Sequence, residues 1–218
     1  MTDDPLDDAG WAEAAEDRLL TAALTRAPDL GWNSRLVAAA ARDANFSLGE
    51  AELLLPHGAR DLAALLARRH DDRALAALGR FDPLGMKIRE RIRVAVLARC
   101  DAAMEDEAAL RRWCGFLALP GNMALGLRLV WRSADILWRW AGDTATDENH
   151  YSKRSLLAEI LLSTLAIRLS SGAGAASTHL DRRIAGVMAF ELWKGGVRPG
   201  DMATRVAARL GRLRYGGA

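Results

Sequence analysis

The densest run of chemically capable side chains lies between Ala141 and Arg154, AGDTATDENHYSKR. Asp147 and His150 stand three apart there, a spacing that puts two side chains on one helix face. Di-iron bundles build an oxygen-activating centre from Glu-x-x-His pairs on two helices. This chain has a lone Asp-x-x-His and no second pair, and its histidines (His57, His70, His150, His179) are scattered. HExxH, a Walker loop and a GxSxG elbow are absent. Gly172-Ala-Gly174-Ala-Ala-Ser177 approaches a dinucleotide fingerprint, but no strand precedes it and serine takes the last place. Cys100 and Cys114 offer neither metal-ligand spacing nor a disulfide framework, which suits a reducing compartment. Asp143, Asp147, Lys153 and Arg154 fit helix caps and ion pairs better than acid–base roles. The expectation is therefore of no enzyme: no catalytic residue, no metal site and no cofactor.

The elements that must position these residues are helices. Half of the 218 residues are hydrophobic and 27% are charged, as in a soluble globular protein. Ala, Leu and Arg dominate and strand formers are sparse. The pattern predicts helices at about 9–26, 34–44, 47–54, 60–79, 84–103, 106–118, 122–140, 146–170, 175–194 and 201–213. Pro28, Pro56, Pro83, Pro120 and Pro199 are expected between helices, and Ser170 to Ser177 (SSGAGAAS) as a flexible linker. No apolar run is expected to reach membrane-spanning length, because Arg128, Arg132 and Glu159 interrupt the best candidates. The acidic start, MTDDPLDDAG, resembles neither a signal peptide nor a mitochondrial transit peptide. The organisation divides into a subdomain at 1–79, a helical ligand-binding and dimerisation domain at 80–195, and a linker with a terminal helix at 196–218.

In the first part, helices 34–44 and 47–54 are joined by a tight turn at Asn45-Phe46, with Asn33/Ser34 and Ser47 as N-caps. This is a helix-turn-helix layout and resembles the N-terminal domain of TetR-type repressors. The second helix, however, carries Glu50 and Glu52 and no Lys or Arg. A helix entering the groove of a polyanion needs the opposite charge. The subdomain is expected not to bind nucleic acid. The alternative function is a TetR-type transcriptional regulator with an apolar effector.

In the second part, Met123, Leu127, Val130, Trp131, Ala134, Leu137 and Trp138 form a wide apolar stripe. The following helix is apolar almost all round from Leu156 to Ile167. Small residues among large ones on these helices suit an elongated apolar ligand, and equally a close approach of the helices. The expected pocket comprises Leu127, Val130, Trp131, Ala134, Leu137, Trp138, Leu157, Ile160, Leu161 and Thr164. Near the C-terminus, Met202, Val206, Leu210 and Leu213 run beside Arg205, Arg209 and Arg212. One greasy stripe beside a guanidinium stripe fits an amphipathic helix lying on an anionic membrane surface.

The Ala141–Arg154 segment, preceded by a Trp-rich helix, resembles the ubiquinone biosynthesis accessory family known as the ninth protein of the coenzyme Q series. The family pattern is A-G-D-x-S-x-D-x-N-x-Y-[ST]-[KR]-R. This chain supplies Ala141, Gly142, Asp143, Asp147, Asn149, Tyr151, Ser152, Lys153 and Arg154, with Ala145 or Thr146 about the serine place. Glu148 and His150 stand where the family usually has aromatic residues. Flanking matches are Lys87-Ile-Arg89, Leu117-Ala-Leu-Pro120 and Leu180-Asp-Arg-Arg-Ile184. The resemblance spans about residues 30 to 214. It implies an all-α, TetR-like helical bundle, a homodimer, that holds an isoprenoid quinone lipid or phospholipid. It also implies presentation of that lipid to the demethoxyubiquinone hydroxylase through Asp143, Asp147, Asn149, Tyr151 and Arg154. The expected location is the bacterial cytoplasm, peripheral on the inner face of the inner membrane.

Overall fold

The computed structural model describes residues 5–142 and 148–196, with side chains described for 10–142 and 151–187. The described residues form eight α-helices and no strand, so the all-α expectation holds. The expected terminal helix at 201–213 lies outside the described residues.

Helix α1 (Pro5–Leu30) runs through Pro28, where the sequence pattern put a break. Proline removes the amide that would bond to the Leu24 carbonyl, and the helix stops within a turn of it. The stop comes at Gly31, whose φ of +69° only glycine adopts freely. Helix α2 (Ser34–Asp43) starts where the Asn33 carboxamide accepts from the Arg35 and Leu36 amides at 2.9 and 3.2 Å. Helix α3 (Leu48–Leu54) starts with a reciprocal capping box between Ser47 and Glu50. The α2–turn–α3 layout is thus present, with Asn45 left-handed in the turn at φ +59°.

Helix α4 (Ala59–Leu78) follows, then a 3-10 turn at Pro83–Gly85 and α5 (Ile88–Met104). Asp82 caps the 3-10 turn, so α5 begins later than the pattern at 84–103 suggested. Helices α6 (Glu107–Ala118) and α7 (Met123–Trp140) meet at a bend of 94° across Pro120. Helix α8 (Glu148–Gly196) corrects two expectations. The 170–177 linker is helical on both sides of a single non-helical residue, Gly172, with φ +83° and ψ −176°. The stretch Tyr151–Val187 is also long and apolar enough, by length and composition, to cross a membrane. Its inner side is instead a core face: Leu157, Ile160, Leu161, Leu165, Ala176 and Leu180 are buried, and α8 packs on α5 and α7.

Helix α1 packs on α2, α4 and α6, while α4 packs on α5 and α7. One continuous hydrophobic core runs from Leu19 on α1 to Leu180 on α8, passing the expected boundary near residue 79 without interruption. Two indoles cross that boundary as hydrogen-bond donors: Trp32 Nε1 to the Ala109 carbonyl at 3.2 Å, and Trp113 Nε1 to the Ala63 carbonyl at 3.0 Å.

Candidate functional site

Helices α6, α7 and the first limb of α8 enclose an apolar cavity of about 250 Å³ over a floor from α4 and α5. Its walls include Trp113, Leu117, Leu129, Val130 and Leu161, and its rim is set by the exposed Met123, Leu127 and Leu162. An apolar lining with a solvent-facing apolar rim suits a long hydrocarbon group better than a polar metabolite. A smaller apolar groove of about 70 Å³ lies between α5, α7 and α8, lined by Ile92, Trp138, Leu157, Ile160 and Ile184 among others. Trp138 Nε1 donates to the Lys153 carbonyl at 2.8 Å, which fixes the wall between α7 and α8.

The floor of the larger cavity is polar. Arg99 and Ser133 both line it, although they are only 4% and 1% exposed. Behind them sits Asp71, 2% exposed. Its Oδ1 accepts from Arg99 Nε and from Ser133 Oγ, each at 2.6 Å. Its Oδ2 has no partner among the described residues. Next to Asp71, the buried His70 pairs through Nε2 with Asp106 at 3.1 Å, and Arg73 donates to the same carboxylate at 2.7 Å. Burial pushes the His70 imidazole down to about 4, chiefly because a charged ring would be stripped of water. The ring is therefore neutral near pH 7, and the Asp106 carboxyl is held below its usual range mainly by accepting from it.

The expected pocket residues divide. Leu127, Val130 and Leu161 line the larger cavity, and Trp138, Leu157 and Ile160 line the smaller groove. Ala134, Leu137 and Thr164 are buried without facing either, so for them the packing of α7 on α8 replaces the expected lining role. Trp131 is half-buried and makes a tilted ring pair with Tyr151, centroids 6.2 Å apart. Of the expected partner surface, Tyr151 is exposed. Arg154 is not a surface residue: it is 2% exposed and ion-paired with Asp135 of α7. A guanidinium removed from water needs such a carboxylate, and the pair fastens α8 to α7. Asp143 and Asp147 lie outside the described residues, as does the Asn149 side chain. Met202, Arg205, Val206, Arg209, Leu210, Arg212 and Leu213 also lie outside them.

Sequence reasoning missed Asp71, Arg99 and Ser133. The signal was there in α5: Ile92, Val96, Arg99 and Ala103 recur at helical spacing, and all four are buried. A charge on an apolar stripe marks a buried polar group. Neither cysteine is activated. Burial raises Cys114, which lines the cavity, and pushes Cys100 up to about 12. No His/Cys/Asp/Glu group among the described residues has the arrangement of a metal site.

Fold and site together define a helical protein with an apolar cavity entered between α7 and α8. Residues 123–191, which supply most of that cavity's wall, match the COQ9 family model. The chain is 29% identical over 170 residues to ubiquinone biosynthesis protein COQ9-B, mitochondrial, of Xenopus laevis, covering 72% of this chain and 56% of that protein. It is 31% identical over 160 residues to the Rattus norvegicus COQ9 protein, with 70% and 51% covered. For the Homo sapiens COQ9 protein the identity is 29% over 160 residues, with 70% and 50% covered. The chain spans about half the length of these curated relatives. The chain is thus similar to the COQ9 proteins of ubiquinone biosynthesis, the resemblance that its Ala141–Arg154 motif indicated.

One expectation is overturned. These relatives are named mitochondrial, and they come from frog, rat and human. The comparisons thus favour a mitochondrial association over the bacterial inner-membrane location. That expectation leaned on the acidic first residues, which decide nothing in a chain matching only half of each relative.

Proposed function

We propose that this chain serves ubiquinone biosynthesis without catalysing a step of it, binding an isoprenoid quinone intermediate and presenting it to the demethoxyubiquinone hydroxylase. Similarity to COQ9 proteins supports the pathway. The observation that carries the binding role is the apolar cavity, most of whose lining falls within the COQ9-matched segment. Cysteine thiols held protonated by burial support a carrier more than a thiol-dependent catalyst. The resemblance supports a TetR-like homodimer and a docking face around Tyr151. The stripes at Met202 to Leu213 support attachment to an anionic membrane.

The geometry of α3 does not favour the transcriptional regulator. Glu50 spends its carboxylate on the Ser47 cap, and Leu48 and Leu53 point to solvent where a groove-reading helix needs donors.

The test is lipid extraction from purified protein followed by mass spectrometry. The expected result is a prenylated quinone precursor in the native chain and its loss in Val130→Trp, which fills the cavity. Recovery of water-soluble metabolites alone would refute the lipid role. Co-purification with the hydroxylase, reduced by Tyr151→Ala, tests the presentation step; an unchanged yield would refute that docking face.

A further inference from the structure

We propose that the cavity takes its ligand head first, and that Arg99 at the floor donates to a neutral acceptor oxygen on the ligand's polar end. The inference rests on the lipid-pocket reading above and adds an orientation and a head-group chemistry to it. The lining is apolar except for the two buried polar side chains at its floor, Arg99 and Ser133. A cavity meant only for hydrocarbon has no use for them, because each buried polar group without a partner costs stability.

The bonding leaves capacity at that floor. Arg99 donates through Nε to Asp71 Oδ1, and no described residue accepts from its two terminal amino groups. These groups are the strongest donors at the cavity wall. Ser133 spends its hydroxyl proton on Asp71, so its oxygen is left able to accept. Asp71 Oδ2 lies behind them without a partner. Asp71 is a positioning residue here: it fixes the Arg99 guanidinium from the side away from the ligand.

Charge selects the head group. Arg99 and Asp71 already neutralise one another at 2.6 Å. A carboxylate or phosphate arriving there would be a third, uncompensated charge in a site stripped of water, beside the Asp71 anion. A neutral acceptor meets the free guanidinium donors with no such penalty. A quinone ring carbonyl and the ester carbonyl of a glycerolipid share that chemistry.

The test uses the full chain and measures displacement of diphenylhexatriene, a hydrocarbon dye with no acceptor oxygen, by decylubiquinone, methyl decanoate, decanoate and decane. Both carbonyl probes are expected to bind about tenfold tighter than decanoate or decane, the discrimination of one hydrogen bond to a charged group. Advantage for one carbonyl probe alone supports the inference and identifies the source, ring or ester. Two variants are compared. In Asp71→Asn/Arg99→Gln both charges go together, so no buried charge is stranded. In Arg99→Lys the charge stays and the fork is lost. Each is expected to bring the carbonyl probes down to the affinity of decane. Equal affinity for all probes, or tightest binding of decanoate, overturns the head-first inference while leaving the lipid pocket intact. So does carbonyl binding that the double variant does not weaken. If no probe displaces diphenylhexatriene, and Val130→Trp leaves dye binding unchanged, the lipid-pocket reading itself fails and the inference with it.

Discussion

The substitution Arg99→Met isolates the energetics of the cavity floor. Methionine keeps most of the volume of the arginine stem, so lost packing is a minor cost. What it removes is the cation that, among the described residues, alone bonds to a carboxylate that is 2% exposed. Asp71 would keep the Ser133 hydroxyl on Oδ1 and nothing on Oδ2. Stranding one member of a buried pair costs about 3–5 kcal/mol, because the survivor has lost water as well as its partner. In urea unfolding followed by far-ultraviolet circular dichroism, that loss lowers the midpoint by on the order of 1–3 M. Adding Asp71→Asn removes the stranded charge, since an uncharged amide bears burial better. The double variant is therefore expected to be about 2 kcal/mol more stable than Arg99→Met alone. The reasoning is refuted if Arg99→Met costs less than about 1 kcal/mol, or if the double variant loses the sum of the two single losses.

Four further outcomes are expected. His70 has a folded pKa of about 4, below its unfolded value, so the unfolded chain binds the extra proton. Stability should thus fall as the pH drops from about 6.5 towards 4, by roughly 3 kcal/mol in all, and His70→Gln should remove that part of the profile. Thermal melts across this range that match between the two proteins would contradict the assignment. Gly172→Ala should cost about 1–2 kcal/mol: the added Cβ meets no neighbour within 4 Å, but a φ of +83° with ψ −176° is a glycine conformation. A native-like melting temperature would mean that the kink relaxes. A gel shift with random duplex at low salt should show no retarded band, and tight binding would revive the regulator reading. Flotation with phosphatidylserine vesicles should disappear when residues 198–218 are deleted, and full retention would remove that segment from the membrane role.

What the sequence made legible was periodic. Apolar recurrence and caps located α2, α3, α4, α6 and α7 to within a residue or two, because Asn33 and Ser47 do at the helix starts what their side-chain chemistry suggests. Pro28 and Gly172 were misread for one reason. A breaker acts through its neighbours: Pro28 falls in the last turn before Gly31 ends α1, and Gly172 bends α8 at one residue while the helix continues on both sides. The pocket was half legible. An apolar stripe identifies residues that leave water, but not whether they leave it for a cavity or for another helix. Leu127 and Ala134 carry the same signal on α7; the first reaches the cavity rim and the second is packed away. Arg154 illustrates the limit from the polar side. It stands in the most polar stretch of the chain, yet the carboxylate that buries it, Asp135, is nineteen positions away on another helix.

The family match and the cavity are not coextensive. Residues 123–191 include α7 and most of α8, and so the rim and one wall. Ala67 and Arg99 at the floor and Trp113 on the opposite wall precede that segment, and so does Asp71, which holds the floor. Ser133 is the hinge between the two parts: it belongs to the matched segment and bonds to Asp71 outside it. A single hydrophobic core joins both, with Trp113 tied back to Ala63. The helix-turn-helix-like region therefore contributes to the cavity floor. Through α4 it supplies the anion that holds Arg99 in place. Substitutions at Asp71 should consequently alter ligand binding from outside the COQ9-matched segment, whereas substitutions confined to the exposed side of α3 should not.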